Sequence, residues 1–387
     1  MAFNLIRNAR VFFTTNVNTD TGVVQASGFT TGNTREIQVL DTLSFSQNTT
    51  SETVTINEGG AAPVRGQRSF NTALDPVEFT FSTYMRPKFV DNGVTDTVIA
   101  EESVLWGAMS STDGSGWTET AASGNAAYST VDFNDSNNHQ LEKFGMIIIL
   151  DSSAYAIDNC VLDQATIDFG LDAIAMVSWT GRGAALRAIS ATADNSSDPI
   201  FGGSLSGTAL GKDTTAPYIA NKLSTIELVS TIDGAGGGAT TYTVPITGGS
   251  LTIANNVTYL TPANLGVVNQ PITYFTGTRS ITGTLNAYLR TGTNETAQLL
   301  SDMLAASATD VDPAFSVSIA VGGATNNTRV IFDMPACVLT IPTVSTEQVI
   351  STAINFTAQG YTGSAGSEDF DLSGVNELTV TYKSAAI

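Results

Sequence analysis

Apolar and polar residues alternate along this chain in short runs. Val77, Phe79 and Phe81 alternate with Glu78, Thr80 and Ser82, which predicts a half-buried strand over 77–85. Ile37, Val39, Leu43 and Phe45 mark a strand over 37–46, and Thr53 to Ile56 mark a short one after a loop at 48–52. Phe144 to Leu150 is a continuous apolar run, the pattern of a strand buried on both faces. Phe315 to Val321 and Arg329 to Met334 flank a turn at Gly322-Gly323. Two stretches carry helical spacing instead. One is 96–109, where Val98, Glu102, Leu105 and Met109 recur and Ile99 and Trp106 widen the stripe. The other is 294–306, with Ala297, Leu300, Met303 and Leu304. Asp96 or Thr97, and Thr293 or Asn294, are the residues able to cap them.

The pattern occurs twice. Cys160-Val161-Leu162 is followed by Ala175 to Thr180, and Cys337-Val338-Leu339 is followed at the same spacing by Thr352 to Thr357. Strand-like runs end in Tyr84-Met85-Arg86 and again in Tyr288-Leu289-Arg290, with a helical segment after each. The spacing makes Cys160 equivalent to Cys337 and Trp179 equivalent to Phe356, and these four residues are the expected core anchors. The fold class expected is mainly β, of sandwich or barrel type with one flanking α-helix, tandemly duplicated. The first β domain is placed at 1–200 and the second at 218–387, joined by a Gly- and Pro-rich linker at 201–217. The stretch 112–140 reads as an insertion in the first copy. In the second, 240–260 reads as a long hairpin around Gly248-Gly249, with Tyr242, Val244, Ile246, Leu251 and Ile253 as strand residues. Such a hairpin is either an ordinary surface feature or a contact that pairs with a neighbouring subunit's sheet edge.

Composition narrows the function. In 387 residues, 42% are hydrophobic and only 13% charged, with Thr, Ser, Asn and Gly filling the difference, as suits strands joined by many turns. There are 36 acidic and 16 basic residues, a net charge of −20. Such a chain repels a phosphate backbone, so binding to nucleic acid by counterion release is not expected. No apolar run is long enough for a membrane helix, and the first residues lack a signal-peptide core, which predicts synthesis and folding in a cytoplasm. Cys160 and Cys337 lie at equivalent points of separate copies, too far apart to bridge, and read as small buried apolar residues.

Chemistry-bearing motifs are sparse. The single histidine, His139, sits in a polar stretch, which leaves nucleophile–histidine arrangements and paired-histidine metal sites without support. Gly234 to Gly238 lacks the Lys-Ser/Thr of a phosphate cradle. Asp132, Asn134, Ser136, Asn138 and Glu142 resemble a calcium loop but lack its central glycine and place the last glutamate one residue early. No catalytic residue, cofactor or metal site is expected, and the chain reads as a non-enzyme.

In its repeated Thr/Gly/Asn-rich β units, each with one helix, in its acidity and in the segment 240–260, the chain resembles the bacteriophage tail tube proteins, also called major tail proteins. The resemblance implies rings that stack into a hollow tube with a continuous inner β-barrel, through which DNA passes during ejection. A duplicated chain would close such a ring from three copies of itself with pseudo-sixfold symmetry. The five strand residues from Tyr242 to Ile253 are then candidate ring contacts. Three chains at −20 each carry −60 per ring, so an acidic lumen would let DNA slide without specific binding. Candidate lumen carboxylates are Glu78, Asp168 and Glu227. The implied partners are further copies of the chain and other tail proteins (baseplate or tip, terminator, sheath), with no membrane. The implied location is the virion tail, after assembly in the host cytoplasm. A second reading of the same composition is a surface β-protein, such as a receptor-binding, adhesin or S-layer-like module.

Overall fold

In the computed structural model the described residues are 9–25, 29–30, 32–54, 68–90, 97–100, 102–110, 117–120, 126–134, 140–150, 153–189, 217–230, 240–309, 314–323, 328–341, 343–345, 350–360 and 376–385. The first half contains strands β1 (Ala9–Thr14), β2 (Thr34–Ile37), β3 (Ser44–Ser46), β4 (Thr49–Val54), β5 (Arg68–Leu74), β6 (Val77–Tyr84), β7 (Lys88–Val90) and β8 (Thr97–Ile99). Helix α1 (Ser103–Ser110) follows, then β9 (Trp117–Thr120), β10 (Ala126–Asn134), β11 (Phe144–Leu150), β12 (Ser153–Asp168), β13 (Met176–Gly183) and β14 (Ala185–Ile189). The second half has β15 (Thr225–Ser230), β16 (Thr240–Tyr242), β17 (Ile246–Ala254), β18 (Val257–Leu260), β19 (Thr273–Thr276) and β20 (Ser280–Tyr288). After helix α2 (Thr296–Thr309) come β21 (Ala314–Gly322), β22 (Arg329–Leu339), β23 (Thr343–Ser345), β24 (Ser351–Ala358) and β25 (Asn376–Ala385). The fold is mainly β; among the described residues the strand ladders are antiparallel and nineteen strands belong to one connected sheet.

One pairing scheme appears in both halves. In the first, β1 pairs β2 and β11, β11 pairs β12, β12 pairs β13 and β14, and β13 pairs β6, which pairs β3. In the second, β15 pairs β16 and β21, β21 pairs β22, β22 pairs β24 and β25, and β24 pairs β20, which pairs β17. Small hairpins β4–β5 and β18–β19 hold matching places. Even the irregularities match: the ladder shifts just after Phe144, which faces Cys160, and just after Phe315, which faces Cys337. The additions of the first half are β7–β8 and β9–β10, and β10 pairs the C-terminal strand β25.

The register corrects the sequence alignment of the two halves. Phe81 and Leu285 each stand three residues before the matching tyrosines Tyr84 and Tyr288; Phe81 faces Trp179, whereas Leu285 faces Ile354. Trp179 therefore corresponds to Ile354, and Phe356 corresponds to Gly181. The slip of two residues lies in the connection, 169–175 in the first half against 346–350 in the second. Loops change length at small thermodynamic cost. Because side chains alternate with period two, the slip leaves Trp179 and Phe356 on the core face. The aromatic ring and the glycine have traded strands. Phe79 lies over Gly181 in one half and Phe356 lies over Gly283 in the other.

Packing joins the halves. Trp106 of α1 meets Trp179 edge-to-face at 4.8 Å and also contacts Phe133 and Phe332, so residues from both halves share one hydrophobic cluster. Residues of the two expected domains, 1–200 and 218–387, thus lie in one hydrophobic cluster. Residues 201–216 of the expected linker lie outside the described residues. The expected helix over 96–109 begins later, at Ser103, and Thr97 to Ile99 form a strand instead. Threonine and β-branched valine and isoleucine favour the extended backbone there. The strand expected over 37–46 is split by a turn at Asp41-Thr42. No helix among the described residues is long and apolar enough to cross a membrane.

Candidate assembly surface

Eight strands run side by side in the order β3, β6, β13, β12, β17, β20, β24, β23. Alternation gives this sheet two unlike faces. One is apolar and packed into the core, through Phe79, Trp179, Ile167, Leu251, Leu285 and Phe356. On the other, cross-strand rows are built almost wholly from hydroxyl and amide side chains. Ser82, Ser178, Thr166, Thr252, Thr282 and Thr357 form one such row. Threonine suits both demands, a β-branched stem for the strand and a polar tip for water.

The halves meet edge to edge at the centre of this sheet. Gln164 to Asp168 of β12 face Ala254 to Ser250 of β17 in an unbroken antiparallel register. The ladder is extended by Asn255 N–H to Asp163 O at 2.8 Å and by Phe169 N–H to Gly249 O at 2.7 Å. Buried Asn255 pins the joint through its Nδ2, which donates to Met109 O at 3.0 Å. Val257 N–H donates to Asp163 Oδ1 at 2.7 Å. Strand-to-strand addition between the two pairing schemes is therefore a joint this sequence already makes.

No protein-family model matches the chain. Over 382 residues it is 32% identical to the tail tube protein pb6 of Escherichia phage T5, an alignment spanning 96% of this chain and 75% of that protein. The chain belongs to the phage tail tube proteins. As a tail tube protein it is a structural component of a virion.

Within this tail tube protein, Tyr242, Val244, Ile246, Leu251 and Ile253 do not form a hairpin. Gly248 and Gly249 lie inside β17, where a Cβ at Gly249 would stand 2.3 Å from Thr284 O. These glycines permit close approach of neighbouring strands, which a sequence reading takes for a turn. β16, with Tyr242, pairs β15, and β17 is clamped between β12 and β20. Leu251 and Ile253 are fully buried within the chain. The Tyr242 hydroxyl donates to Asp302 Oδ2 at 2.8 Å, and burial, together with that carboxylate, holds its pKa well above the usual tyrosine range.

The candidate carboxylates do not share one surface. Glu78 and Asp168 lie exposed on the hydroxyl-rich face, whereas Glu227 lies on β15, outside the eight strands. Arg182, on the same face as Glu78, directs a nitrogen to Asp163 at 3.7 Å. Trp179 is buried, and its indole N–H donates to Thr83 Oγ1 at 2.9 Å. Cys160 and Cys337 are free and buried; burial raises both thiols, Cys337 to about 12. His139 lies outside the described residues. Asp132 accepts from Thr379 Oγ1 at 2.7 Å across the β10–β25 ladder. No group of three metal-ligating side chains occurs among the described residues.

A buried polar chain closes the second joint between the halves. Trp106 Nε1 donates to the Tyr382 hydroxyl at 2.8 Å, and that hydroxyl donates to Glu102 Oε1 at 2.6 Å. Burial pushes the Glu102 carboxyl from its ordinary 4.5 up to about 7, a rise that the Tyr382 hydrogen bond and nearby Arg86 only partly oppose. The sequence signal was present: a glutamate at an apolar-stripe position. Its partner, 280 residues away, was not legible.

Proposed function

We propose that the chain assembles head to tail into closed rings that stack into the hollow tail tube, with DNA passing through the lumen during ejection. The observation that carries this reading is the β12–β17 joint, which adds one pairing scheme to the next along a single sheet. Two schemes per chain make three chains enough for a ring with pseudo-sixfold symmetry, a closed arrangement of heterologous contacts. The hydroxyl-rich face supplies the lumen wall and continues around it as an inner barrel. It carries Glu78 and Asp168 as fixed negative charges and, among the described residues, only Arg182 as a cation. The wall therefore repels phosphate weakly and offers DNA no row of cations to bind. Axial stacking is supported by the loop after β18, where Leu265, Val267, Val268 and Ile272 are exposed and no residue is charged. Other tail proteins meet the tube at its ends. Glu227 contributes to outer or subunit surfaces.

Electron microscopy of the purified chain tests this. Hollow rings or tubes with threefold symmetry are expected, and a monodisperse monomer at high concentration overturns the reading. Phage carrying Glu78→Lys and Asp168→Lys should assemble tails but release DNA more slowly; unchanged release removes those residues from the lumen.

A further inference from the structure

Among the described residues the eight-strand sheet has two open ends. Among the described residues β3 pairs only β6, and β23 pairs only β24. Open strand edges present unpaired N–H and C=O groups, and soluble proteins ordinarily guard them with charges or a covering element. Here neither Ser44-Phe45-Ser46 nor Thr343-Val344-Ser345 contains a charged residue, in a chain of net charge −20.

Each open strand has a counterpart that is already paired. Phe79 and Gly283 occupy matching positions, five residues before Tyr84 and Tyr288. Phe45 faces Phe79 and Leu251 faces Gly283, so β3 matches the segment Ser250 to Thr252 of β17. Likewise Cys160 and Cys337 match, because each faces the phenylalanine at the same ladder shift. Counting on from the cysteines, Thr343, Val344 and Ser345 match Thr166, Ile167 and Asp168. Their partners agree: Thr166 and Ile167 face Ser178 and Val177, and Thr343 and Val344 face the matching Ala353 and Thr352. Both counterpart segments are the ones joined in the β12–β17 ladder.

We infer that β23 of one copy pairs antiparallel with β3 of the next, in the register of the β12–β17 ladder. This rests on the ring reading above and specifies its contact between chains. Transferring Thr166–Thr252, Ile167–Leu251 and Asp168–Ser250 places Thr343 opposite Ser46, Val344 opposite Phe45 and Ser345 opposite Ser44. Burial differs in the direction this requires. Leu251, covered by β12, is fully buried, whereas its match Phe45 is half-buried between exposed Ser44 and Ser46. Docking β23 on β3 gives Phe45 the cover that Leu251 has. The backbone bonds made by Asp163 and Phe169 point toward β17, so by alternation Ile167 is in a hydrogen-bonded pair. Val344 and Phe45 accordingly exchange both backbone hydrogen bonds. Thr343–Ser46 and Ser345–Ser44 become non-hydrogen-bonded pairs, with Cα atoms about 4.5 Å apart. Pro342 has no N–H to donate, so the new ladder starts at Thr343.

Pairs at that separation accept a disulfide. The chain carrying Ser46→Cys and Thr343→Cys, oxidised after assembly, should run on a non-reducing denaturing gel as covalent dimers and closed trimers that collapse to monomer with reductant. Ser46→Cys with Ser345→Cys, two residues out of register, should stay monomeric on the same gel. Assembled rings that yield only monomer with the in-register pair, or cross-linking in the slipped pair instead, overturn the inference while leaving the ring reading intact. Failure of the unaltered chain to form rings overturns the ring reading itself. Should the cysteine pair prevent assembly, Phe45→Asp keeps the question decidable. It should give a folded chain with an unchanged circular dichroism spectrum that no longer forms rings, and normal rings from it overturn the inference.

Discussion

Trp106 and Tyr382 stand 276 residues apart in sequence and share a hydrogen bond of 2.8 Å inside the core. Tyr382 belongs to β25, which is held between β10 of the first half and β22 of the second. Its hydroxyl is a donor to Glu102 and an acceptor from Trp106, so one oxygen satisfies two buried groups. Tyr382→Phe removes it and leaves an indole N–H and a carboxyl without that partner. An unsatisfied buried group costs about 1–3 kcal/mol. Urea unfolding of the unassembled chain should show a loss of about 2–4 kcal/mol with the secondary structure kept.

Glu102 makes stability fall as pH rises. Its folded pKa of about 7 lies above the ordinary 4.5, so between those values the folded chain holds a proton that the unfolded chain has released. The Glu102 contribution is full below about 4.5, is lost progressively toward about 7, and is flat above that. Glu102→Gln should remove this slope and stabilise the chain at pH 8 by about 3–4 kcal/mol, at roughly 1.4 kcal/mol per pKa unit. Melts of both proteins across pH 4 to 8 check this. Parallel curves would place the proton elsewhere.

The traded Phe–Gly pairs predict matched sensitivities. A Cβ at Gly181 would stand 2.2 Å from Phe79 Cζ and 2.7 Å from Val161 O; one at Gly283 would stand 2.2 Å from Phe356 Cζ and 2.7 Å from Ser250 O. Gly181→Ala and Gly283→Ala should each destabilise by about 1–3 kcal/mol, the range for overpacking. Since backbone as well as ring is in the way, Phe356→Leu should recover only part of the Gly283→Ala loss in a double-mutant cycle.

Both thiols should be inert in the folded chain. Burial raises Cys160 and lifts Cys337 to about 12, which removes the reactive thiolate at neutral pH. Maleimide labelling followed by mass spectrometry should add nothing to the native protein and two labels after denaturation. One fast label on native protein would show that a cysteine is accessible.

Local pattern carried much of the fold. The alternation of Val77 to Ser82 and the apolar run from Phe144 to Leu150 are readable because a strand's side chains report its two faces directly. The recurring Tyr-x-Arg and Cys-Val-Leu segments fall at corresponding strands of the two halves. The glycines of β17 misled because a close strand approach and a turn ask for the same residue. Spacing in sequence pairs Trp179 with Phe356 because it includes the connecting loop, which is two residues shorter in the second half.

The sequence was sufficient for strands with clean alternation such as Val77 to Tyr84, for which side of those strands faces the core, and for the acidic balance. These are properties of neighbouring residues and of totals. Which strand lies beside which came from long-range pairing. β17 beside β12, β25 beside β10, and Glu102 beside Tyr382 are set by backbone ladders and packing between residues 82 to 280 positions apart, for which alternation leaves no local trace.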